Sequence, residues 1–175
     1  MLRINRLRVE INTANGVYGI DESFRDGLNF VASLDNTCGK SSILAAIYYC
    51  LGFEQILGGV GGIGSKVLTS AFKTTIEDNG TPWTVTESGC YLEISNGNET
   101  RTIYRNIKSE SKDNRLMTVY YGSYDSIGDH KTVSEDYYVN IQNAAISEKG
   151  FHTFLEEFLL SLIHISEPTR HLRIS

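Results

Sequence analysis

The sequence lacks any long apolar run. In its 175 residues no stretch approaches the ~20 consecutive apolar residues that cross a bilayer. Residues 1–8 also lack the apolar core of a signal peptide. We therefore expect a cytoplasmic protein that does not have a membrane as its partner.

Cysteine is scarce, and its spacing excludes the usual paired-cysteine metal sites. The chain has 3 cysteines, Cys38, Cys50 and Cys90. An odd number of cysteines at these separations is typical of free thiols in a reducing compartment.

An excess of positive charge is also missing, since the formal net charge is −5. Aromatic and basic residues of the second half could in principle form a nucleic-acid surface. They are Tyr104, Tyr120, Tyr121, Tyr124, Tyr137, Tyr138, Arg101, Arg105, Lys108, Lys112 and Arg115. Acidic residues are interleaved with them, so the sequence predicts no continuous electropositive stripe.

One motif dominates what is present. Residues 31–42, Val-Ala-Ser-Leu-Asp-Asn-Thr-Cys-Gly-Lys-Ser-Ser, lie between a predicted strand at residues 28–31 and a predicted helix at residues 40–51. A strand, a tight loop ending in Gly-Lys-Ser and a helix present backbone N–H groups and a helix N-terminus to a phosphate chain. The sequence therefore predicts a nucleoside triphosphate site.

The residues of this motif have separate predicted roles. Gly39 lets the loop approach the phosphates without a Cβ, and Lys40 places a positive charge at the β- and γ-phosphates. The Ser41 hydroxyl is the predicted Mg²⁺ ligand. The predicted ATP-binding residues are Asn36, Thr37, Cys38, Gly39, Lys40, Ser41 and Ser42. No catalytic residue is predicted.

The motif departs from the full pattern at one position. The pattern G-x-x-x-x-G-K-[ST] has a glycine five residues before Gly39, where this sequence has Leu34. A leucine there enters the loop at negative φ or adds strain of about 1 kcal/mol or more. A second interpretation stays open, in which Thr37 or Ser41 caps an ordinary helix beside an incidental lysine.

Short motifs flank the loop on both sides. Ile4 and Leu7 form an I-x-x-L pattern, residues 27–29 are Gly-Leu-Asn, and residues 40–52 are K-S-S-I-L-A-A-I-Y-Y-C-L-G. Over residues 4–52 this order resembles the N-terminal lobe of SMC-like chromosome and DNA-repair ATPases, including the RecN, RecF and SbcC types.

The resemblance implies a fold and a function. The implied fold class is α/β, the N-terminal lobe of a P-loop NTPase (an ABC/SMC-type head) with an antiparallel β subdomain. The implied cofactors are ATP and Mg²⁺, and the implied partner is a second copy joined through the nucleotide. DNA would be contacted by that assembled homodimer, in repair, chromosome maintenance or phage defence.

The parts with which this family hydrolyses ATP are absent from the sequence. No apolar strand ends in Asp-Glu, and neither a Ser-Gly-Gly signature nor a heptad repeat is present. The chain is therefore expected to be a fragment that binds ATP and needs a missing C-terminal half for hydrolysis. Two alternatives remain: a non-catalytic interaction module, in which Leu34 marks a degenerate P-loop, and a small-molecule P-loop kinase.

The predicted organisation has several units. Residues 1–57 are the nucleotide-binding core, with strands at 2–11 and 17–24, and residues 66–141 are a β-rich subdomain with a hairpin turn at 96–98. Residues 147–159 are a helix whose apolar face is Phe151, Phe154, Leu155, Phe158 and Leu159. Together, residues 1–159 form the partial ATPase lobe. Residues 160–175 resemble a translated transposase-type sequencing adapter, and we expect them to be non-native.

Overall fold

The computed structural model describes residues 1–32, 39–53, 56, 68, 70–129, 131–139 and 150–160. Within these residues the chain forms seven strands and two α-helices. In chain order they are β1 (Arg3–Thr13), β2 (Gly16–Ser23), α1 (Lys40–Cys50), β3 (Thr75–Asp78), β4 (Thr81–Ser95), β5 (Thr100–Lys108), β6 (Leu116–Tyr120), β7 (Ser134–Tyr138) and α2 (Phe151–Leu160).

The strands form one antiparallel sheet in the order β2-β1-β4-β5-β6-β7, and β3 pairs with the start of β4. Apolar and polar residues alternate along β1, which buries Leu7, Val9 and Ile11 and turns Arg8 and Glu10 to the other face. The strands predicted at residues 2–11 and 17–24 are thereby confirmed as β1 and β2.

The predicted hairpin turn at residues 96–98 joins β4 to β5 and is confirmed. Asn96 Oδ1 accepts hydrogen bonds from the backbone N–H groups of Asn98 and Glu99, both at 3.0 Å. Asn96 Nδ2 donates to the carbonyl oxygen of Phe158 at 2.8 Å. The same buried side chain therefore shapes the turn and fixes the end of α2 against the sheet.

Both helices pack on the inner face of the sheet, around one hydrophobic core. In α2 the predicted apolar face is confirmed for Phe151, Phe154, Leu155 and Phe158, which are buried. In α1 the small residues Ala45 and Ala46 and the residues Tyr49 and Cys50 face the sheet most closely. Small side chains at the contact allow the helix to approach the strands.

The predicted α/β fold class is wrong. β1 has an antiparallel neighbour on each side, β2 and β4, and all the strand pairs of the described residues are antiparallel. The strand predicted at residues 28–31 is absent, since residues 27–32 belong to no strand. A short apolar run becomes a strand only where a neighbour supplies backbone partners. Here Leu28 and Phe30 are 80% and 84% exposed.

Candidate functional site

The predicted phosphate motif lies where α1 begins. Gly39 is the residue before the first helical turn and has φ 66° and ψ 7°, in the left-handed region that favours glycine. Its carbonyl oxygen accepts hydrogen bonds from the N–H groups of Ser42, at 2.9 Å, and Ile43, at 3.2 Å. Asn36, Thr37, Cys38 and Leu34 lie outside the described residues.

The described residues leave room around Gly39. A Cβ added to Gly39 would meet none of their atoms within 4 Å. No side-chain hydrogen bond from the described residues caps α1, and its first turn contains no acidic residue. The N-terminal end of a helix carries partial positive charge from its backbone N–H groups. These features together favour an anion at this position.

The three side chains of the first turn face different surroundings. Ser41 is exposed and Lys40 is half-buried, whereas Ser42 is only 6% exposed and turns toward the core. Of these three side chains, Lys40 and Ser41 are therefore the more accessible. The Ser42 side chain is buried and its N–H already donates to the Gly39 carbonyl, so the structure gives Ser42 no contact with a ligand.

A pocket of about 200 Å³ lies beside this turn. Its walls come from the end of β2, from the segment after it and from α1, and they include Glu22, Phe24, Asn29, Phe30 and Ile43. The Asn29 side chain closes the turn that leads into the pocket. Its Oδ1 accepts from the Arg25 N–H, and its Nδ2 donates to the Arg25 carbonyl, both at 2.9 Å.

The outer face of the sheet carries a second polar cluster. Arg6 forms two hydrogen bonds with Asp21, at 2.7 and 2.8 Å, and one with Asp125 at 2.9 Å. Arg8 bonds Glu10 at 2.7 Å and Asp21 at 2.8 Å. The hydrogen bond from Arg6 lowers the pKa of the Asp21 carboxyl and raises that of Arg6 itself.

Tyrosines extend this cluster across the sheet. The Arg6 and Arg8 guanidiniums lie 4.7 and 5.2 Å from the centroid of the Tyr124 ring. Tyr91 packs against Tyr124 and Tyr104, with centroids 5.1 and 4.7 Å apart. Because carboxylates already pair with both arginines, the face offers no positive surplus to a phosphate backbone.

Four of the basic residues considered for nucleic-acid contact are engaged within the protein. Arg105 is fully buried. Lys108 donates to the Val85 carbonyl at 2.6 Å, Lys112 lies 3.7 Å from the Glu87 carboxylate, and Arg115 pairs with Asp113 at 2.9 Å. Each of these four side chains is thus buried or has a partner within the protein.

Arg105 instead anchors α1, a role that the sequence did not reveal. Its Nη1 donates to the Tyr49 carbonyl at 2.7 Å, and its Nε donates to the Asn114 carbonyl at 2.8 Å. The Tyr49 hydroxyl in turn donates to the Asn106 carbonyl at 2.7 Å. A cation at the C-terminal end of a helix is favourable because the carbonyl groups there carry negative partial charge.

No family model, curated protein or solved structure matches the chain significantly. Its function is therefore argued from its own residues. Among the described residues, no group of three or more His, Cys, Asp and Glu side chains is placed to hold a metal ion. In the same residues no helix is both long enough and apolar enough to cross a membrane.

Proposed function

We propose that this chain binds ATP at the N-terminal end of α1, through Gly39, Lys40 and Ser41. The observation that carries the proposal is the left-handed Gly39 at the start of α1, where the described residues place no side-chain cap and no acidic residue in the first turn. An anion bound there would interact favourably with both the helix N-terminus and the adjacent Lys40 ammonium. The proposal concerns this local site and does not require an α/β fold.

The residues present fit a magnesium-bound triphosphate. A Gly-Lys-Ser sequence at a helix start supplies a backbone without Cβ, a point charge and a hydroxyl oxygen, which is the hard ligand type that Mg²⁺ prefers. Mg²⁺ would supply charge neutralisation between the β- and γ-phosphates, with Ser41 as its protein ligand. Lys40 would neutralise the remaining phosphate charge. The pocket next to α1, with the apolar Phe30 and Ile43 in its walls, is the proposed place for the nucleoside.

The wider proposal is that the chain is part of a cytoplasmic SMC-like ATPase. Its support is the resemblance over residues 4–52. In this proposal the nucleotide joins two copies, and the assembled homodimer acts on DNA in repair, chromosome maintenance or phage defence. The sequence contains one Asp-Glu pair, Asp21-Glu22 near the end of β2. Asp21 already bonds Arg6 and Arg8, so the activity proposed for this chain alone is binding.

Binding of MgATP to the purified chain, by isothermal titration calorimetry, tests this function. Lys40→Ala should weaken binding at least about tenfold, because it removes a charged contact worth about 1.5–3 kcal/mol. Lys131→Ala is the matched control, since Lys131 is an exposed lysine outside the motif, and it should leave binding unchanged. Equal affinity for the parent and the Lys40→Ala protein would refute the proposal.

One observation favours the alternative of a non-catalytic interaction module. Three large apolar side chains beside the motif, Leu28, Phe30 and Leu44, are 80%, 84% and 51% exposed. Exposed apolar groups of this kind often mark contact surfaces. If the parent chain fails to bind MgATP and Leu34→Gly creates binding, the loop is a degenerate phosphate site and this second function is favoured.

A further inference from the structure

Two cysteines that are far apart in the sequence meet in the core. Cys50 is the last residue of α1, and Cys90 is an inward-facing residue of β4. Both are 0% exposed. Their Sγ atoms lie 2.8 Å apart although 40 positions separate them in the chain. Both are free thiols in this structure.

Contacts other than the two sulfurs hold both cysteines in position. Cys90 pairs with Val9 on β1 and with Arg105 on β5, which places it in the interior of the sheet. Arg105 also holds the carbonyl of Tyr49, the residue next to Cys50. The helix end and the strand are therefore held together by contacts other than the two sulfurs.

In the closed structure the surroundings favour neither a metal site nor attack by either thiol on an outside substrate. Among the described residues, no third ligand joins the two thiols. Burial and the hydrogen bond with Cys90 raise the pKa of Cys50 well above its ordinary value, against a smaller opposite effect of the Arg105 guanidinium. A protonated, buried thiol is a poor nucleophile in the closed structure. The nearest reaction partner for each sulfur is the other one.

We propose that Cys50 and Cys90 are a disulfide-forming pair that is oxidised by hydroperoxides. One thiol reacts with hydrogen peroxide, whose O–O bond breaks, to give a sulfenic acid and one water. The second sulfur then displaces the hydroxyl group, which leaves as a second water as the S–S bond forms. Two thiol hydrogens and two electrons pass to the peroxide, and the reaction needs no other reagent.

The distance between the sulfurs suits this product. Disulfide sulfurs are about 2.05 Å apart, so they must approach by less than about 1 Å. The first step requires a transient opening at the end of α1 that admits peroxide, and reclosure brings the second thiol into reach. The bond would tie the helix that begins at the proposed ATP site to β4, independently of whether ATP binds there.

The experiment uses the full chain with Cys38→Ser, which leaves only the two thiols in question. The protein is treated with hydrogen peroxide while folded, then unfolded and alkylated with N-ethylmaleimide. We expect no adduct, a mass lower by about 2 Da, and a peptide in which Cys50 and Cys90 are linked, all reversed by dithiothreitol. The oxidised monomer should have a Tm higher by roughly 5–15 °C, because the cross-link restricts the unfolded chain.

A matched control carries Cys38→Ser together with Cys90→Ser and should show neither the linkage nor the rise in Tm. Two maleimide adducts persisting after peroxide treatment of the two-thiol protein would overturn the proposal. Sulfinic acids or intermolecular dimers in place of the linked monomer would overturn it as well. The main assay uses no substitution in the core, so it does not depend on whether the control folds.

Discussion

The Arg105 guanidinium lies over the Tyr49 ring, 3.9 Å from its centroid, and also donates a 2.7 Å hydrogen bond to the Tyr49 backbone carbonyl. One fully buried cation thus joins β5 to the last turn of α1 in two ways. The contact therefore holds the C-terminal end of the helix whose N-terminal end is the proposed ATP site.

Removal of the buried cation should destabilise the protein. We expect Arg105→Met, which approximately preserves side-chain length, to lower the free energy of unfolding by about 2–5 kcal/mol. The Tyr49 and Asn114 carbonyls lose buried donors, at a cost of about 1–3 kcal/mol each. Urea unfolding measures the change. Arg115→Met is the control, since Arg115 is 61% exposed and its change should stay within about 0.5 kcal/mol. Equal effects of the two substitutions would contradict the anchoring role.

On the outer face of the sheet, the Tyr104 ring lies directly over Gly89. A Cβ on Gly89 would lie 2.6 Å from the Tyr104 ring, so Gly89→Ala should lower the free energy of unfolding by about 1–3 kcal/mol through overpacking. The same substitution made together with Tyr104→Ala should lose most of that effect, because the ring is gone. A double-mutant cycle by urea unfolding measures the coupling. Additive effects would show that the ring does not pack over Gly89.

The Arg6–Asp21 pair should make the stability of the folded chain depend on pH. The pKa of Asp21 is lower in the folded chain, chiefly because of the hydrogen bond from Arg6. A carboxyl group whose pKa falls on folding contributes stability above its unfolded pKa, which is about 3.9, and loses it as pH falls through the folded value.

Asp21→Asn should therefore reduce stability at pH 7 and flatten the loss of stability below about pH 4. The effect should be small, within about 1 kcal/mol, since the Asp21 side chain is 38% exposed. Urea midpoints measured between pH 2.5 and 7 provide the test. Asp129→Asn, at an exposed loop position, is the control. A parent and an Asp21→Asn protein with parallel pH curves would exclude the contribution.

Local patterns in the sequence were sufficient to predict several strands, turns and helices. The alternation in β1, the Asn-Gly turn before β5 and the apolar spacing in α2 each reflect a rule that acts over a few residues. The helix predicted at residues 40–51 is also confirmed, as α1. Within α1, Ile43 and Ile47 are only partly buried, because the alanines lie closest to the sheet.

Long-range contacts could not be predicted in this way. The strand expected at residues 28–31 depended on neighbours that the local sequence does not specify, and the α/β fold class was implied only by the resemblance over residues 4–52. Arg105 and Tyr49 are separated by 56 positions, and Cys50 and Cys90 by 40. A lone arginine or cysteine carries no local signal of such a partner. Only the topology that brings β4 and β5 under α1 reveals these contacts.

Nuclear magnetic resonance can test, residue by residue, whether MgATP binds at the start of α1. In a ¹⁵N-labelled chain, addition of MgATP should shift the backbone amide resonances of Gly39, Lys40 and Ser41 with one saturable binding curve. Arg8 and Tyr91, on the outer face of the sheet, serve as internal controls and should not shift. If the amides of the α1 start stay unchanged while MgATP is raised to millimolar concentrations, the claim is contradicted.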